Sequence, residues 1–234
     1  MPLPVLETPT YELTVPSTKQ KIKFRPFLVK EEKILMIAQE TDDQKEMLSA
    51  MKNIIEACTF GELNGGNLAI YDLEFIFLKL RAKSVGENVA LSLKCEKCEH
   101  VNSVDVNIDN LKVKYPKKKQ DNNIKLTDTV GIILKHPCVN DLDKVSGTDS
   151  TIDEMMAMIA MSIDSVYDSN QSHHHSDITP KELNAFIDSL NRNQLELITG
   201  YFESTPKVRE TIKFECPECD TKNEKIVEGA QSFF

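Results

Sequence analysis

Residues 10–27 alternate between apolar and polar positions around Pro16-Ser17-Thr18, and this period of two predicts a β-hairpin. The period then changes to three and four. Val29–Gln39 carries Ile34, Leu35, Ile37 and Ala38, and Asp42–Cys58 carries Met47, Leu48, Met51, Ile54 and Ile55. Both stretches predict helices, and Asp42 and Asp43 suit the positive end of the second helix dipole. Gly61–Asn67 reads as a loop. Leu73–Arg81 is apolar nearly all round, which predicts a helix buried on several sides. Leu111–Tyr115 and Thr129–Lys135 read as short strands, and Lys117, Lys118 and Lys119 between them as a solvated loop. From Ile152 to Val166 the apolar residues Ile152, Met155, Met156, Ile159, Ile163 and Val166 fall on one helical face, and its methionines suit an adaptable core. The Ser-, Asn- and His-rich stretch Asp168–Asp177 reads as a loop. Thr179-Pro180 is an N-cap followed by proline at the first helical position, opening a helix to Leu190. Asn191–Phe202 reads as a further helix, interrupted by Thr205-Pro206.

Two segments break this alternation in the same way. Leu91-Ser-Leu-Lys-Cys-Glu-Lys-Cys98 leads into His100–Val106, and Glu210–Phe214 leads through Cys216-Pro-Glu-Cys219 into Asn223–Val227. Each is strand, Cys-x-x-Cys turn, strand: a hairpin with a metal knuckle at its tip. One hairpin supplies two thiolates and a closed tetrahedral zinc site needs four, so Cys95, Cys98, Cys216 and Cys219 are expected to share one structural Zn²⁺. A redox Cys-x-x-Cys pair belongs at a helix N-terminus, and both pairs here lie between strands. Lys94, Lys97, Lys213 and Lys222 lie near enough in sequence to offset part of the charge of four thiolates. His100 is an alternative ligand to one cysteine, and Cys58 and Cys138 read as ordinary thiols.

Between Cys98 and Cys216 lie 117 residues. Closing an unstructured loop of that length costs a few kcal/mol, against about 10–16 kcal/mol of apparent binding for structural zinc in small peptides. The cost falls if the insertion folds and brings its own ends together. The predicted class is therefore α+β: β-hairpins with a split Cys₄ zinc ribbon and a largely helical insertion between its halves. The expected parts are an N-terminal hairpin with helices (1–87), the split ribbon (88–108 and 209–228), the inserted lobe (109–208) and a C-terminal tail (229–234).

Of the 234 residues, 37 are acidic and 28 are Lys or Arg, a net charge of −9 that opposes a DNA-coating role. With no Trp and 6% aromatic residues, the chain is poor in stacking platforms for single strands. The longest apolar run, Met155–Met161, is far short of the roughly 20 residues a spanning helix needs. The first residues lack the pattern of a secretory signal, so a cytosolic protein without disulfides is expected. No nucleophile elbow, H-E-x-x-H helix, Walker loop or dinucleotide fingerprint occurs. His173, His174 and His175 are adjacent in a polar loop and cannot all face one ion without strain. The single strong chemical signal is a site that staples a fold, and it points to a binding protein rather than an enzyme or a small-molecule receptor.

Tyr11–Ser17, Lys21–Leu35 and Asp72–Gly86, with the Cys-x-x-Cys hairpin after Val85-Gly86, the Phe214–Cys219 run and the terminal Phe233-Phe234, resemble the baseplate hub proteins of T-even-like contractile-tailed phages. The resemblance implies a non-catalytic viral protein required to assemble the central hub of the tail baseplate. It implies other hub and tail proteins as partners, in the host bacterial cytoplasm during assembly. Whether such a protein is a hub subunit of the virion or an assembly chaperone that leaves stays open. The 29–40 helix and Phe233 and Phe234 are candidate anchors for partners, though the two phenylalanines equally suit folding back on their own core. The competing reading, a zinc-ribbon regulator associated with nucleic acid, is opposed by the net charge.

Overall fold

The computed structural model describes residues 6–41, 43–116, 121–145 and 151–233. Asp42, Lys117–Lys119 and Phe234 lie outside the described residues. The chain forms two compact units, one of Met1–Lys114 with Lys207–Phe234 and the other of Tyr115–Pro206. The architecture is α+β with small antiparallel sheets and, among the described residues, seven α-helices.

The first unit opens with the hairpin β1 (Tyr11–Thr14) and β2 (Lys21–Phe24), which turns Ile22 and Phe24 into the core. Helices α1 (Val29–Thr41), α2 (Gln44–Cys58) and α3 (Ile70–Ser84) follow. Asp43 caps α2, accepting from the N–H of Lys45. Met51, Ile54 and Ile55 of α2 and Leu73, Ile76, Phe77, Leu78 and Leu80 of α3 are fully buried, so α3 is the central helix that its all-round apolar sequence demands. A charged pair sits where α1 begins, with Glu31 buried and Arg25 half-buried. Arg25 Nη2 lies 2.8 Å from Glu31 Oε1, and Glu31 Oε2 accepts from the N–H of Leu28, so the carboxylate also satisfies the open end of α1.

Hairpin β3 (Asn88–Lys94) with β4 (Val101–Asn107) and hairpin β10 (Lys207–Glu215) with β11 (Lys222–Glu228) complete this unit. The two-residue strand β5 (Val113–Lys114) joins the edge of β10, with Val113 opposite Val208 and Lys114 opposite Lys207. The chain therefore leaves and re-enters this unit at adjacent backbone positions, which is the end-to-end closure a long insertion requires. After β11, Gly229 adopts φ +79°, and a Cβ there would meet Glu74 Oε1 at 3.1 Å. That turn delivers Ala230–Phe233 as a 3₁₀ turn against α3, with Phe233 fully buried.

The second unit is built on a four-stranded antiparallel sheet, β6 (Asn123–Lys125), β7 (Gly131–Leu134), β8 (Ile163–Tyr167) and β9 (Ser172–His174), in chain order. Around it are α4 (Val139–Val145), α5 (Thr151–Ser162), α6 (Pro180–Asp188) and α7 (Arg192–Glu203). Both α6 and α7 open with full capping boxes, Thr179 with Glu182 and Asn191 with Gln194. Ile132, Leu134, Ile159, Ile163, Leu183, Ile187 and Ile198 form its core.

Here the sequence pattern misleads in two places. The helical face expected to run from Ile152 to Val166 stops at Ser162, and the next five residues form β8 against β7. Ser162 Oγ turns back to the Met158 carbonyl and closes the helix, while the Ser162 carbonyl accepts from Lys135 N–H. Ile163 and Ser165 then face inward at strand spacing, and the unpaired edge of β7 gains a partner. Ile152 and Met155 are left exposed. The same sheet makes a strand of Ser172–His174 within the expected polar loop. Helices still supply most of the regular residues of this unit, but the sheet organises it.

Glu74 on α3 accepts from the Ala230 N–H, and burial pushes its carboxyl up to about 7, with the charge of Glu228 adding to the effect. A raised carboxyl binds its proton more tightly in the folded chain, so the contribution of Glu74 to stability is fully present below about pH 4.5 and is lost as pH rises through about 7. Glu74→Gln keeps the acceptor without the charge. Across this range the urea midpoint of the parent is expected to fall relative to that of Glu74→Gln, with the two closest at the acid end.

Candidate metal centre

The two hairpin tips are the same local structure. In the first, Cys95 N–H donates to the His100 carbonyl at 2.9 Å and Glu99 N–H to the Cys95 carbonyl at 3.1 Å. In the second, Cys216 N–H donates to the Thr221 carbonyl at 3.0 Å and Asp220 N–H to the Cys216 carbonyl at 2.9 Å. Glu99 and Asp220, each just after the second cysteine of its pair, take φ +58° and +52°. The flanking strands register alike, Lys94 opposite Val101 and Glu215 opposite Lys222. Each tip is thus a tight knuckle that turns two sulfurs to one side.

The hairpins belong to separate sheets, yet their tips meet. All four sulfurs lie within 4.8 Å of one another. Cys95 Sγ is 3.7 Å from Cys219 Sγ, and Cys98 Sγ is 3.6 Å from Cys216 Sγ. A disulfide needs about 2.05 Å, so neither contact is one. Four sulfurs placed tetrahedrally about 2.3 Å from a common ion are about 3.8 Å apart. These two separations fit that figure, and the donor set is the one that closed zinc sites use. Cys95 and Cys216 are buried, Cys219 is half-buried and Cys98 is exposed, so the cluster sits at the edge of the unit.

Backbone N–H groups converge on the sulfurs. The Cys95 thiol is brought down to about 6, most strongly by the N–H of Cys98, then by Lys97 N–H and the Asn223 amide, against the effect of burial. Thr221 likewise lowers Cys219 through its hydroxyl, 3.2 Å from Sγ, and its N–H. At Cys98 the His100 N–H acts in the same direction, but the sulfurs of Cys219, Cys216 and Cys95, with burial, carry it up to about 12. Four sulfurs this close cannot all ionise unaided, and a divalent cation among them removes the conflict.

Across the contact, Asn223 Oδ1 accepts from Glu96 N–H at 2.9 Å, Asn223 Nδ2 lies 3.5 Å from Cys95 Sγ, and Lys225 Nζ is 2.7 Å from Glu96 Oε1. Lys213, expected from sequence to offset thiolate charge, pairs with Glu224 at 3.3 Å. Sequence reasoning missed Asn223 and Lys225. Aligning the two knuckles was the available signal, since an asparagine stands four residues after the second cysteine in both. His100 joins the knuckle through its carbonyl and is outside the four-sulfur group. Cys58 is fully buried, which pushes its thiol up to about 11, and Cys138 Sγ lies 3.0 Å from Asp141 Oδ2. His174 Nε2 is 3.6 Å from Asp164 Oδ1, and among the described residues the four cysteines are the group arranged to hold a metal. Phe233 is packed inside its own unit, whereas Val29, Met36 and Ile37 of α1 are exposed. No described helix is long and apolar enough to cross a membrane.

Compared with known families, residues 8–234 match the model of the T4 bacteriophage base plate protein family. No curated protein and no solved structure matches the chain.

The left-handed residues give the knuckles a specific sensitivity. A non-glycine residue there carries a penalty of about 1–2 kcal/mol, largest for β-branched side chains. Glu99→Val is expected to lower unfolding free energy by about 1 kcal/mol or more, while Glu99→Gly leaves it within about 0.5 kcal/mol of the parent, because relief of strain and loss of chain entropy oppose each other. Denaturant titration of the three proteins checks this.

Proposed function

From the premise that this chain belongs to the T4 bacteriophage base plate protein family, we propose that it is required to assemble the central hub of the tail baseplate and acts there by docking to other tail proteins. The observation that carries the baseplate role is the match over residues 8–234. The hub assignment is supported by Tyr11–Ser17, Lys21–Leu35 and Asp72–Gly86, which resemble hub proteins in particular. The role is non-catalytic: the strongest chemical constellation is a four-sulfur cluster, and a closed site of that kind holds structure.

In this reading Cys95, Cys98, Cys216 and Cys219 bind one structural Zn²⁺ and make the two hairpins a split zinc ribbon. The donor set and its spacing support zinc. The ion supplies the cross-link between hairpins that no strand pairing makes. The zinc-tied layer then acts as a rigid base, and the exposed apolar residues of α1, Val29, Ile34, Met36 and Ile37, are the candidate docking face.

Two outcomes follow. A phage with an early stop codon in this gene is expected to yield, by electron microscopy of infected lysates, no complete baseplates. A plasmid copy of the parent gene restores them, and a Cys95→Ser/Cys98→Ser copy restores few. Complete, hub-containing baseplates without the protein contradict the assignment. Separately, metal removal by a chelator is expected to raise amide hydrogen exchange in 88–107 and 207–228 by tenfold or more while exchange in α6 and α7 stays within about twofold, since those helices belong to the other compact unit.

A further inference from the structure

The two knuckles obey one correspondence: Cys95 with Cys216, Cys98 with Cys219, Glu99 with Asp220, His100 with Thr221 and Asn102 with Asn223. The asparagines begin alike. Asn223 Nδ2 donates to the Thr221 carbonyl at 2.8 Å, and Asn102 Nδ2 donates to the corresponding His100 carbonyl at 3.0 Å. Both are buried, at 4% and 7% exposure. They differ in the carbonyl oxygen of the side chain. Asn223 Oδ1 reaches across to the opposite hairpin and accepts from Glu96 N–H. Asn102 Oδ1 is buried with no partner. The residue corresponding to Glu96 is Pro217, and proline has no N–H to give. A buried acceptor without a donor is unfavourable, and this one is explained by a single residue of the opposite knuckle.

We infer that Asn223 is the positioning residue that clasps the two hairpins around the bound ion, and that Pro217 leaves the mirror-image clasp at Asn102 open. The inference rests on the metal-site reading above. Asn223 ties backbone to backbone through Glu96 and also donates toward Cys95 Sγ, so it holds a ligand sulfur and the opposing knuckle at once. The second clasp is one backbone N–H short of formation. One half of the site is therefore fastened and the other half is free to open, so the rate at which the ion leaves is set by Asn223 and is improvable at position 217.

The experiment uses the full chain loaded with Zn²⁺ and follows release of the ion to an excess of a chromogenic chelator. Asn223→Ala is expected to speed release about tenfold or more, the effect of losing the bond from Glu96 N–H together with the donation toward Cys95 Sγ, while Asn102→Ala alone changes it less than twofold. Pro217→Ala restores an N–H and is expected to slow release about threefold to tenfold, a gain that disappears in Pro217→Ala/Asn102→Ala. That dependence on Asn102 separates a completed clasp from a general effect of removing proline, and it decides the matter even if Asn223→Ala folds poorly. Parent protein that holds zinc while Pro217→Ala and its Asn102→Ala double variant release it at the parent rate overturns the clasp and leaves the metal site standing. Parent protein that takes up no zinc overturns the metal-site reading, and the clasp with it.

Discussion

The structure depends on holding together two short turns that the chain itself keeps far apart. Cys98 and Cys216 are separated by 118 positions, yet their sulfurs are 3.6 Å apart. Strand pairing does not unite the hairpins that carry them, because β3–β4 and β10–β11 lie in separate sheets. What joins them is side-chain chemistry at the tips: four sulfurs, the Asn223 amide and the Lys225–Glu96 pair. Entropy opposes this arrangement, and two features reduce the opposition. The intervening residues fold as their own compact unit, and β5 places Lys114 opposite Lys207 where the chain departs and returns. On the metal-site reading, a coordinated ion would need only to fasten ends that are already near.

The rest of the first unit is held by ordinary core packing. Its centre is α3, buried along most of its circumference, with α2 packed beside it. The C-terminal turn closes over α3 through Gly229, where no larger residue fits beside Glu74 without strain, and so Phe233 is used as core. A terminal aromatic pair in the sequence suggests either an anchor or a plug. Phe233 is fully buried inside its own unit. Among the exposed apolar residues of this unit, Val29, Ile34, Met36 and Ile37 all lie on α1 and have no use in the core.

Much of this was legible in the amino-acid sequence because the signals were local. Alternation around Pro16–Thr18 marks β1 and β2, Thr179-Pro180 and Asn191 mark the starts of α6 and α7, and the repeated Cys-x-x-Cys turns mark the two hairpins and their meeting. The illegible parts were decided by distant partners. Ile163–Tyr167 carries both a helical and a strand pattern, and the open edge of β7 selects the strand. Ser172–His174 becomes a strand only because β8 exists to receive it. The short β6 and α4 have too few residues to show a period at all. The clasp at Asn223 was hidden differently: its residues are ordinary, and their meaning emerges only when one knuckle is laid on the other and Pro217 is found opposite Glu96.

The central claim is that one zinc ion, held by the four cysteines, makes the two hairpins a single rigid element. X-ray absorption at the zinc edge of the purified full chain tests it most directly. The expected spectrum is a single shell of four sulfurs at about 2.3 Å with zinc near one equivalent per chain. A shell of oxygen or nitrogen ligands, or protein that carries no zinc, would contradict the account.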